Sequence, residues 1–312
     1  MTQLYDVFGG TLRSELPIEE LPKAMAVSPD WTLRVEDRTT PSPPGELLGT
    51  DIVYGDTRVR CYRTDGGFAL VFDDTGRFDV SSDGAHITWY RSADADLQSA
   101  LADITSRVLA LALHASGVFC LHASAVSVAG TGLAFLAPKH HGKSTLCSAL
   151  VLQGARALSD DTVPVRPGST PMLSPGLPRL RLWTDAAARL FGTDDKGAVT
   201  KRVMDHLDPD RVETESVRFG AAYVLTPVTS LPDGAVVARQ RLDTIESTMC
   251  LVRHSKLGPV LAGSESPLML ARAADVASVV PVYALHVVRD LNRIGELATQ
   301  LVRWHETGQE NS

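Results

Sequence analysis

The chain has 312 residues, of which 44% are hydrophobic and 21% are charged, and its formal net charge at pH 7 is −7. These values are typical of a globular protein with enough residues for one large or two modest domains. The net negative charge argues against a protein that binds nucleic acid through a broad basic surface.

The sequence has no segment with the features of a signal peptide or a membrane span. Its first ten residues, MTQLYDVFGG, contain neither a basic region nor an apolar run. Arg107 and His114 interrupt the most apolar stretch. The four cysteines are widely spaced and form no C-x-x-C pair, so a zinc site is not expected. We therefore expect a cytoplasmic protein that does not enter a membrane.

Residues 1–92 predict a β-rich N-terminal module. Between 46 and 91, apolar and polar residues alternate, as at Phe68, Leu70 and Phe72, and Asp-Asp-Thr-Gly and Asp-Gly turn sequences separate the runs. This pattern is typical of an antiparallel meander.

The next segment, 94–114, predicts one amphipathic helix that links the N-terminal module to a second domain at 93–312. Its apolar residues recur at helical spacing and form one face: Leu97, Leu101, Ile104, Val108, Leu111 and Ala112.

The stretch from 121 to 165 carries the clearest motif. An apolar run ending at Leu136 predicts a buried strand, and Ala137-Pro-Lys-His-His-Gly-Lys-Ser-Thr145 follows it. This matches the phosphate-binding loop pattern G-x-x-x-x-G-K-[ST], with Ala137 in place of the first glycine. A helix from Lys143 to Leu152 should follow and stop near Gly154.

Each residue type in this loop has a physical reason to be there. Gly142 allows the main chain to approach a phosphate closely, and Lys143 brings a positive charge to it. Ser144 can place its hydroxyl on Mg²⁺, and the helix directs its positive dipole end at the same anion. We include Thr145 and His141 among the residues at the nucleotide. His140 and His141 occupy variable loop positions, for which we expect no catalytic role.

Two adjacent acids, Asp160 and Asp161, follow the loop at the start of the next strand. One carboxylate can hold Mg²⁺ while the other accepts a proton from an attacking hydroxyl. We assign the proton to Asp160 and the metal to Asp161, although the pair could act as a coupled unit. The alternative is a polar turn, in which adjacent aspartates are common.

His122 begins the first strand of this stretch. A histidine in such a place is most often structural, but this one could orient Asp160 or help to move the proton. Lys143, Asp160 and His122 are therefore the predicted catalytic residues.

The remainder of the chain predicts further elements of an α/β domain. A proline-rich loop at 164–181 either positions an acceptor or is a rigid surface loop. The other predicted elements are a short helix at 185–191, a charged segment at 193–210 that is a lid or is merely solvated, strands at 221–225, 236–240 and 280–287, and helices at 264–279 and 289–305.

His122, the loop through Ser144 and the Asp160-Asp161 pair together resemble the catalytic core of HPr kinase/phosphorylase. The chain is most similar to the shorter homologues from operons for ribosomally made peptides, including kinases of lasso-peptide precursors. The segments Tyr5–Gly9, Pro175–Pro178 and Pro281–Tyr283 extend this resemblance over most of the chain. The glutamate- and glycine-rich signature of true HPr kinases has no clear copy here.

The resemblance implies an α/β fold with a P-loop core like that of the HPr kinase C-terminal domain or phosphoenolpyruvate carboxykinase. It implies ATP and Mg²⁺, transfer of the γ-phosphoryl group to a serine hydroxyl of a peptide or small protein, and an oligomer as a possible assembly. Two alternatives stay open at this stage: a kinase of a small-metabolite hydroxyl, and a non-catalytic nucleotide-binding regulator.

Overall fold

The computed structural model describes residues 2–25, 28–37, 45–53, 55–139, 141–177, 180–183, 190, 201–204 and 207–306. His140 and the short helix predicted at 185–191, apart from residue 190, therefore lie outside the described residues. The same holds for most of the segment 193–210, of which 201–204 form a strand. Among the described residues, no helix combines the length and apolar composition needed to cross a membrane.

The protein is a mixed α/β structure with two large β-sheets, and it forms two compact units. One unit comprises residues 1–120 and 255–273, and the other comprises 121–254 and 274–312. This grouping differs from the predicted division at residue 92, because the predicted linking helix groups with the first unit.

The first unit contains a twisted sheet of eight strands within the described residues, in the order β1-β2-β3-β8-β7-β6-β5-β4. Strands β4 to β8 pair antiparallel in sequence, which confirms the predicted meander. Strand β3 instead pairs parallel with both β2 and β8. The strands are β1 Gln3–Val7, β2 Gly10–Ser14, β3 Trp31–Glu36, β4 Glu46–Val53, β5 Thr57–Thr64, β6 Gly67–Phe72, β7 Gly76–Ser81 and β8 His86–Arg91.

Aromatic residues on the buried face hold the meander together. Phe78 and Trp89 are direct partners in neighbouring strands, and their rings stack with centroids 5.6 Å apart. Both are fully buried, as is Leu70 in the adjoining strand. Cross-strand aromatic pairs of this kind stabilise a sheet beyond the area that they bury.

The helix predicted at 94–114 is interrupted. Helix α1 spans Leu97–Asp103 and is capped by Asp96, whose side chain accepts from the Ser99 amide at 2.8 Å. A turn of π-helix at Ile104–Val108 follows, and α2 spans Leu109–Ala115. Nearly every side chain of α2 is buried.

Polar residues at the end of α2 form a buried network within the first unit. His114 Nε2 lies 2.8 Å from Glu265 Oε2, and Arg272 Nη1 lies 2.9 Å from His114 Nδ1. Arg63 pairs with the other oxygen of Glu265 and lies over the Phe68 ring. Burial and the neighbouring guanidinium groups lower the pKa of His114 to about 3, so the ring is neutral.

The second unit is built on a mixed sheet in which β12-β10-β11-β17-β19-β18 are successive neighbours and β14 also pairs with β17. Strand β9 (Phe119–Leu121) also belongs to this sheet. Pairing is parallel for β11–β17 and β17–β19, and antiparallel for β12–β10, β10–β11 and β19–β18. The strands of this sheet are β10 Ala123–Val128, β11 Thr131–Leu136, β12 Arg156–Asp160, β13 Val163–Arg166, β14 Met172–Leu173, β17 Val217–Val228, β18 Val237–Arg241 and β19 Val282–Val288. Strands β15 Leu180–Trp183 and β16 Lys201–Met204 pair with each other in a separate two-stranded sheet.

Two helices cover one face of this sheet. Helices α3 (Lys143–Leu152) and α6 (Ile294–Glu306) share one hydrophobic core with residues of β10, β11, β17 and β19. The remaining helices are α4 Thr244–Arg253 and α5 Ser266–Val279, with 3-10 turns at Pro209–Arg211, Pro232–Gly234 and Gly263–Glu265. The predicted strands and helices after residue 220 are present within a few residues, whereas α4 was not predicted.

Candidate functional site

The phosphate-loop motif lies between a buried parallel strand and a helix, as predicted. Strand β11 ends at Leu136, and α3 begins at Lys143. Gly142 has a φ of +82°, and the space where its Cβ would stand is open, with no atom within 4 Å. A left-handed glycine facing open space allows the main chain to approach an anion closely at the N-terminus of a ten-residue helix.

Ala137, the departure from the motif, is accommodated by packing. The residue is fully buried and belongs to the core cluster that contains Phe135 and Leu146. Its φ is not among the positive values found in the described residues, so the main chain there does not require glycine. The methyl group therefore fills core volume without straining the loop.

Lys143 folds back over the loop. Its Nζ donates to the carbonyl oxygens of Ala137 at 2.7 Å and Pro138 at 3.3 Å. The ammonium group thus lies inside the curl of the loop and can exchange these neutral acceptors for phosphate oxygens.

Ser144 and Asp160 are brought together. Ser144 Oγ lies 3.0 Å from Asp160 Oδ1 and 3.2 Å from Oδ2. Asp160 ends β12, where only 8% of its surface is exposed. Ser124 on β10 donates a further hydrogen bond of 2.5 Å to Asp160 Oδ1, because Ser124 and Asp160 are direct partners in the antiparallel pair.

Asp161 and His122 form a second pair beside the first. His122 Nδ1 lies 3.2 Å from Asp161 Oδ1, and about a quarter to a third of each side chain is exposed. Asp161 has a φ of +81°, and its amide donates to the carbonyl of Ala123 at 2.9 Å. The left-handed turn directs consecutive carboxylates to different partners, so Asp160 contacts Ser144 while Asp161 contacts His122.

The other predicted loop residues have more modest contacts. His141 Nδ1 lies 2.8 Å from the carbonyl of Lys139, so this ring braces the loop. Thr145 is half-buried in the first turn of α3. Cys147 is completely buried, and burial raises the pKa of its thiol well above the ordinary value, as expected for a structural cysteine.

The described part of the loop at 164–181 packs against the strand that carries Asp160. The amide of Gly176 donates to the carbonyl of Leu158 at 2.8 Å. A Cβ on Gly176 would stand 2.0 Å from Ser159 Oγ, a distance that no side chain can accept. Glycine is therefore required for the close approach. Pro178 and Arg179 lie outside the described residues.

His254 and Ser124 belong to the site and were not predicted. His254 ends α4, and its carbonyl accepts from the amide of His122 at 2.7 Å. Burial, with the positive charges of Lys143, His122 and Arg253, lowers the pKa of His254 to about 4. The sequence did carry a signal for α4, since Asp243 and Glu246 form the capping box at its start.

The donor set fits a magnesium nucleotide better than a metal held by protein alone. Among the described residues, no three His, Cys, Asp or Glu side chains are grouped as metal ligands would be. The hydroxyl of Ser144 and the carboxylate of Asp160 are oxygen donors of the kind that Mg²⁺ shares with phosphates. Gly142 and Lys143 supply the open main chain and the charge that the phosphates need.

Comparisons with known proteins found similar chains among solved structures alone. No family model matches this sequence, and no curated protein matches it. Among solved structures, the chain is similar to the HPr(Ser) kinase/phosphatase from Coxiella burnetii, with 15% identity and a TM-score of 0.35, over 62% of this chain and 99% of that chain. A likeness with a TM-score below 0.5 is too distant to assign a function, which therefore depends on the loop and the two aspartates.

Proposed function

We propose that this protein is an ATP-dependent phosphotransferase that moves the γ-phosphoryl group of ATP to a hydroxyl. One observation carries the proposal: consecutive carboxylates beside a phosphate-binding loop have different partners. Asp160 contacts the loop serine, Ser144, and Asp161 contacts His122. Phosphoryl transfer needs both a metal-binding carboxylate and a carboxylate that accepts a proton, close to one set of phosphates.

The loop would hold the triphosphate. The amides at the start of α3 point along the helix axis toward the anion, and Gly142 leaves room for it. Lys143 is already at this loop, since its Nζ donates to the carbonyls of Ala137 and Pro138. Mg²⁺ would supply charge neutralisation at the phosphate oxygens.

The contacts favour Ser144 and Asp160 as the residues that hold Mg²⁺. The sequence alone led us to assign the metal to Asp161 and the proton to Asp160. Ser144 is the residue that the motif directs toward the metal, and it is Asp160 that lies against it, with Ser124 fixing the carboxylate from the other side. We therefore reverse the assignment made from the sequence: Asp160 holds Mg²⁺, and Asp161 accepts the proton.

Asp161 would then accept the proton of the attacking hydroxyl. It is more exposed than Asp160, so an incoming group can reach it. His122 Nδ1 lies 3.2 Å from Asp161 Oδ1 and orients the carboxylate. The main-chain bond from His122 to His254 fixes the position of the pair.

For the acceptor, we propose a serine hydroxyl of a peptide or small protein. The sequence resemblance to precursor-peptide kinases motivates this choice. The partial exposure of His122 and Asp161 supports it, since a hydroxyl carried by a chain can approach them from solvent.

The test is transfer of labelled phosphate from ATP to a pool of serine-containing peptides, with a pool in which alanine replaces serine as the control. We expect transfer to the serine pool alone, and loss of transfer in Lys143→Ala and Asp161→Asn. Turnover with small hydroxylated metabolites alone would favour a metabolite kinase. Nucleotide binding without turnover on any acceptor would favour a regulator, and absence of nucleotide binding would end the proposal.

A further inference from the structure

His254 has a buried ring whose hydrogen-bonding groups are unused. Only 9% of the residue is exposed. Its main chain is held at both ends, because the amide donates to Cys250 at 3.0 Å and the carbonyl accepts from His122 at 2.7 Å. Within the described structure, neither ring nitrogen makes a hydrogen bond. Because no protein group occupies these nitrogens, they can bond to a ligand.

The ring nitrogens are nevertheless reachable. Among the described side chains, the polar atoms that are both occluded and unpartnered are Arg107 Nε and Thr162 Oγ1. Those of His254 are not in this group, so each retains some contact with solvent. The ring is therefore largely buried, yet its nitrogens can still be reached by a small polar ligand.

The charges around His254 determine which form of the ring is present. Lys143, His122 and Arg253 all disfavour a further positive charge, and burial adds to this effect. The ring is neutral near pH 7, so it offers one N–H donor and one lone pair. The lysine among these neighbours holds the phosphates in the proposed function, and the histidine belongs to the pair that receives the acceptor hydroxyl.

We propose that His254 is a phosphate-binding residue, which donates its ring N–H to the terminal phosphate of the bound triphosphate. The inference rests on the proposed function. The terminal phosphate is the one that must meet the acceptor hydroxyl, and the main chain of His254 is bonded to His122, whose ring contacts Asp161. The inner phosphates are served by the loop amides and by the start of α3.

The experiment compares a triphosphate with a diphosphate. Affinities of wild type and His254→Phe are measured by calorimetry for Mg²⁺ with a non-hydrolysable ATP analogue and for Mg²⁺ with ADP. Phenylalanine retains a ring of similar shape and removes both nitrogens. Because a hydrogen bond to a charged group is worth about a tenfold change in affinity or more, we expect that loss for the triphosphate. Affinity for ADP should change by less than about twofold, and His86→Phe, an exposed ring in the first unit, should change neither.

The possible results distinguish a failure of the proposed function from a failure of the role proposed for His254. If wild type binds neither nucleotide, the proposed function fails and this inference falls with it. If wild type binds both and His254→Phe weakens both equally, or neither, His254 is structural and only this inference is overturned.

A second measurement uses wild-type protein and so does not require that His254→Phe folds. In wild-type protein with nitrogen-15 in its histidines, the His254 ring signals should shift with the triphosphate analogue and stay in place with ADP. Equal shifts for the two nucleotides would contradict a contact with the terminal phosphate.

Discussion

Ser144 Oγ lies within hydrogen-bond distance of both carboxylate oxygens of Asp160, at 3.0 and 3.2 Å. The neighbouring Asp161 instead lies 3.2 Å from His122. This separation predicts different defects for two conservative variants. Asp160→Asn should remove most of the affinity that Mg²⁺ adds to ATP binding. Asp161→Asn should leave that affinity within about twofold and slow transfer by roughly a hundredfold or more, since it removes only the proton acceptor.

Titration of each variant with ATP, in the presence and absence of Mg²⁺, measures the first effect, and single-turnover transfer measures the second. If Asp161→Asn is the variant that loses the contribution of Mg²⁺, the roles of the two carboxylates are the other way round.

Replacing Ala137 by glycine restores the consensus loop, yet we expect no tighter nucleotide binding. The methyl group is buried in the core, and the main chain there does not adopt a left-handed φ. Ala137→Gly should therefore lower the free energy of unfolding by about 1 kcal/mol through lost packing and added chain entropy. Gly142→Ala is the matched change at the other end of the loop, where φ is +82°, and it should weaken binding. Chemical denaturation and ATP titration of both variants check this, and a several-fold gain in affinity for Ala137→Gly would refute it.

Gly176→Ala should destabilise the protein, because the new Cβ would stand 2.0 Å from Ser159 Oγ on the strand that carries Asp160. Relief of such an overlap typically costs about 1–3 kcal/mol. Gly168→Ala is the control, since its nearest neighbour would be 3.6 Å away. Thermal melts of the two variants should differ by several degrees. Equal melting temperatures would mean that the loop at 175–177 does not pack as described.

The buried His114 makes stability depend on pH. Its pKa falls from 6.5 to about 3 on folding. Between these two pH values, the His114 ring is protonated in the unfolded chain and neutral in the folded protein. The stabilisation is complete above pH 6.5 and is lost as the pH falls toward 3. Between pH 7 and pH 5, wild type should lose on the order of 2 kcal/mol more than His114→Gln, whose amide does not titrate.

Urea unfolding at several pH values provides the comparison. His254 and His305 also have pKa values lowered to about 4, but they titrate in both proteins and cancel in the difference. Parallel pH profiles would show that His114 is protonated in the folded state.

The buried Asp103 also makes stability depend on pH, but in the opposite direction: stability falls as the pH rises. Burial raises the pKa of this carboxyl from 3.8 to about 7, although it accepts a hydrogen bond from Thr75 Oγ1 at 2.8 Å. The folded state therefore holds the proton more tightly, and stability is lost as the pH rises from about 4 to 7. Asp103→Asn keeps an acceptor for Thr75 and carries no charge. It should be more stable than wild type at pH 8, on the order of 4 kcal/mol, and nearly equal to it at pH 4. A variant less stable at pH 8 would contradict this.

The local sequence was sufficient to predict an element wherever its boundaries or its pattern depend on a few neighbouring residues. Gly142 and Gly154 mark the ends of α3, and the alternation around Phe68 and Leu70 identified the meander. The loop, the strand before it and the adjacent aspartates followed from spacing alone. The grouping of the chain into units did not, because residues 255–273 pair with the first unit through tertiary contacts that leave no periodic signal.

The side-chain contacts of Asp160 and Asp161 could not be predicted from the sequence either. Ser124 meets Asp160 only through the register of β10 and β12, and register depends on the whole sheet. His254 reaches His122 from the end of a helix far along the chain. The left-handed φ of Asp161, which separates the two carboxylates, follows from neither composition nor pattern.

That backbone angle limits which residues can occupy position 161. Asparagine and glycine adopt it readily, whereas alanine and larger side chains meet a steric cost. Relatives that have lost activity at this position should therefore carry asparagine or glycine more often than alanine. For the same reason, an alanine scan would exaggerate the importance of this carboxylate, since it would distort the turn into β13 as well as remove the charge.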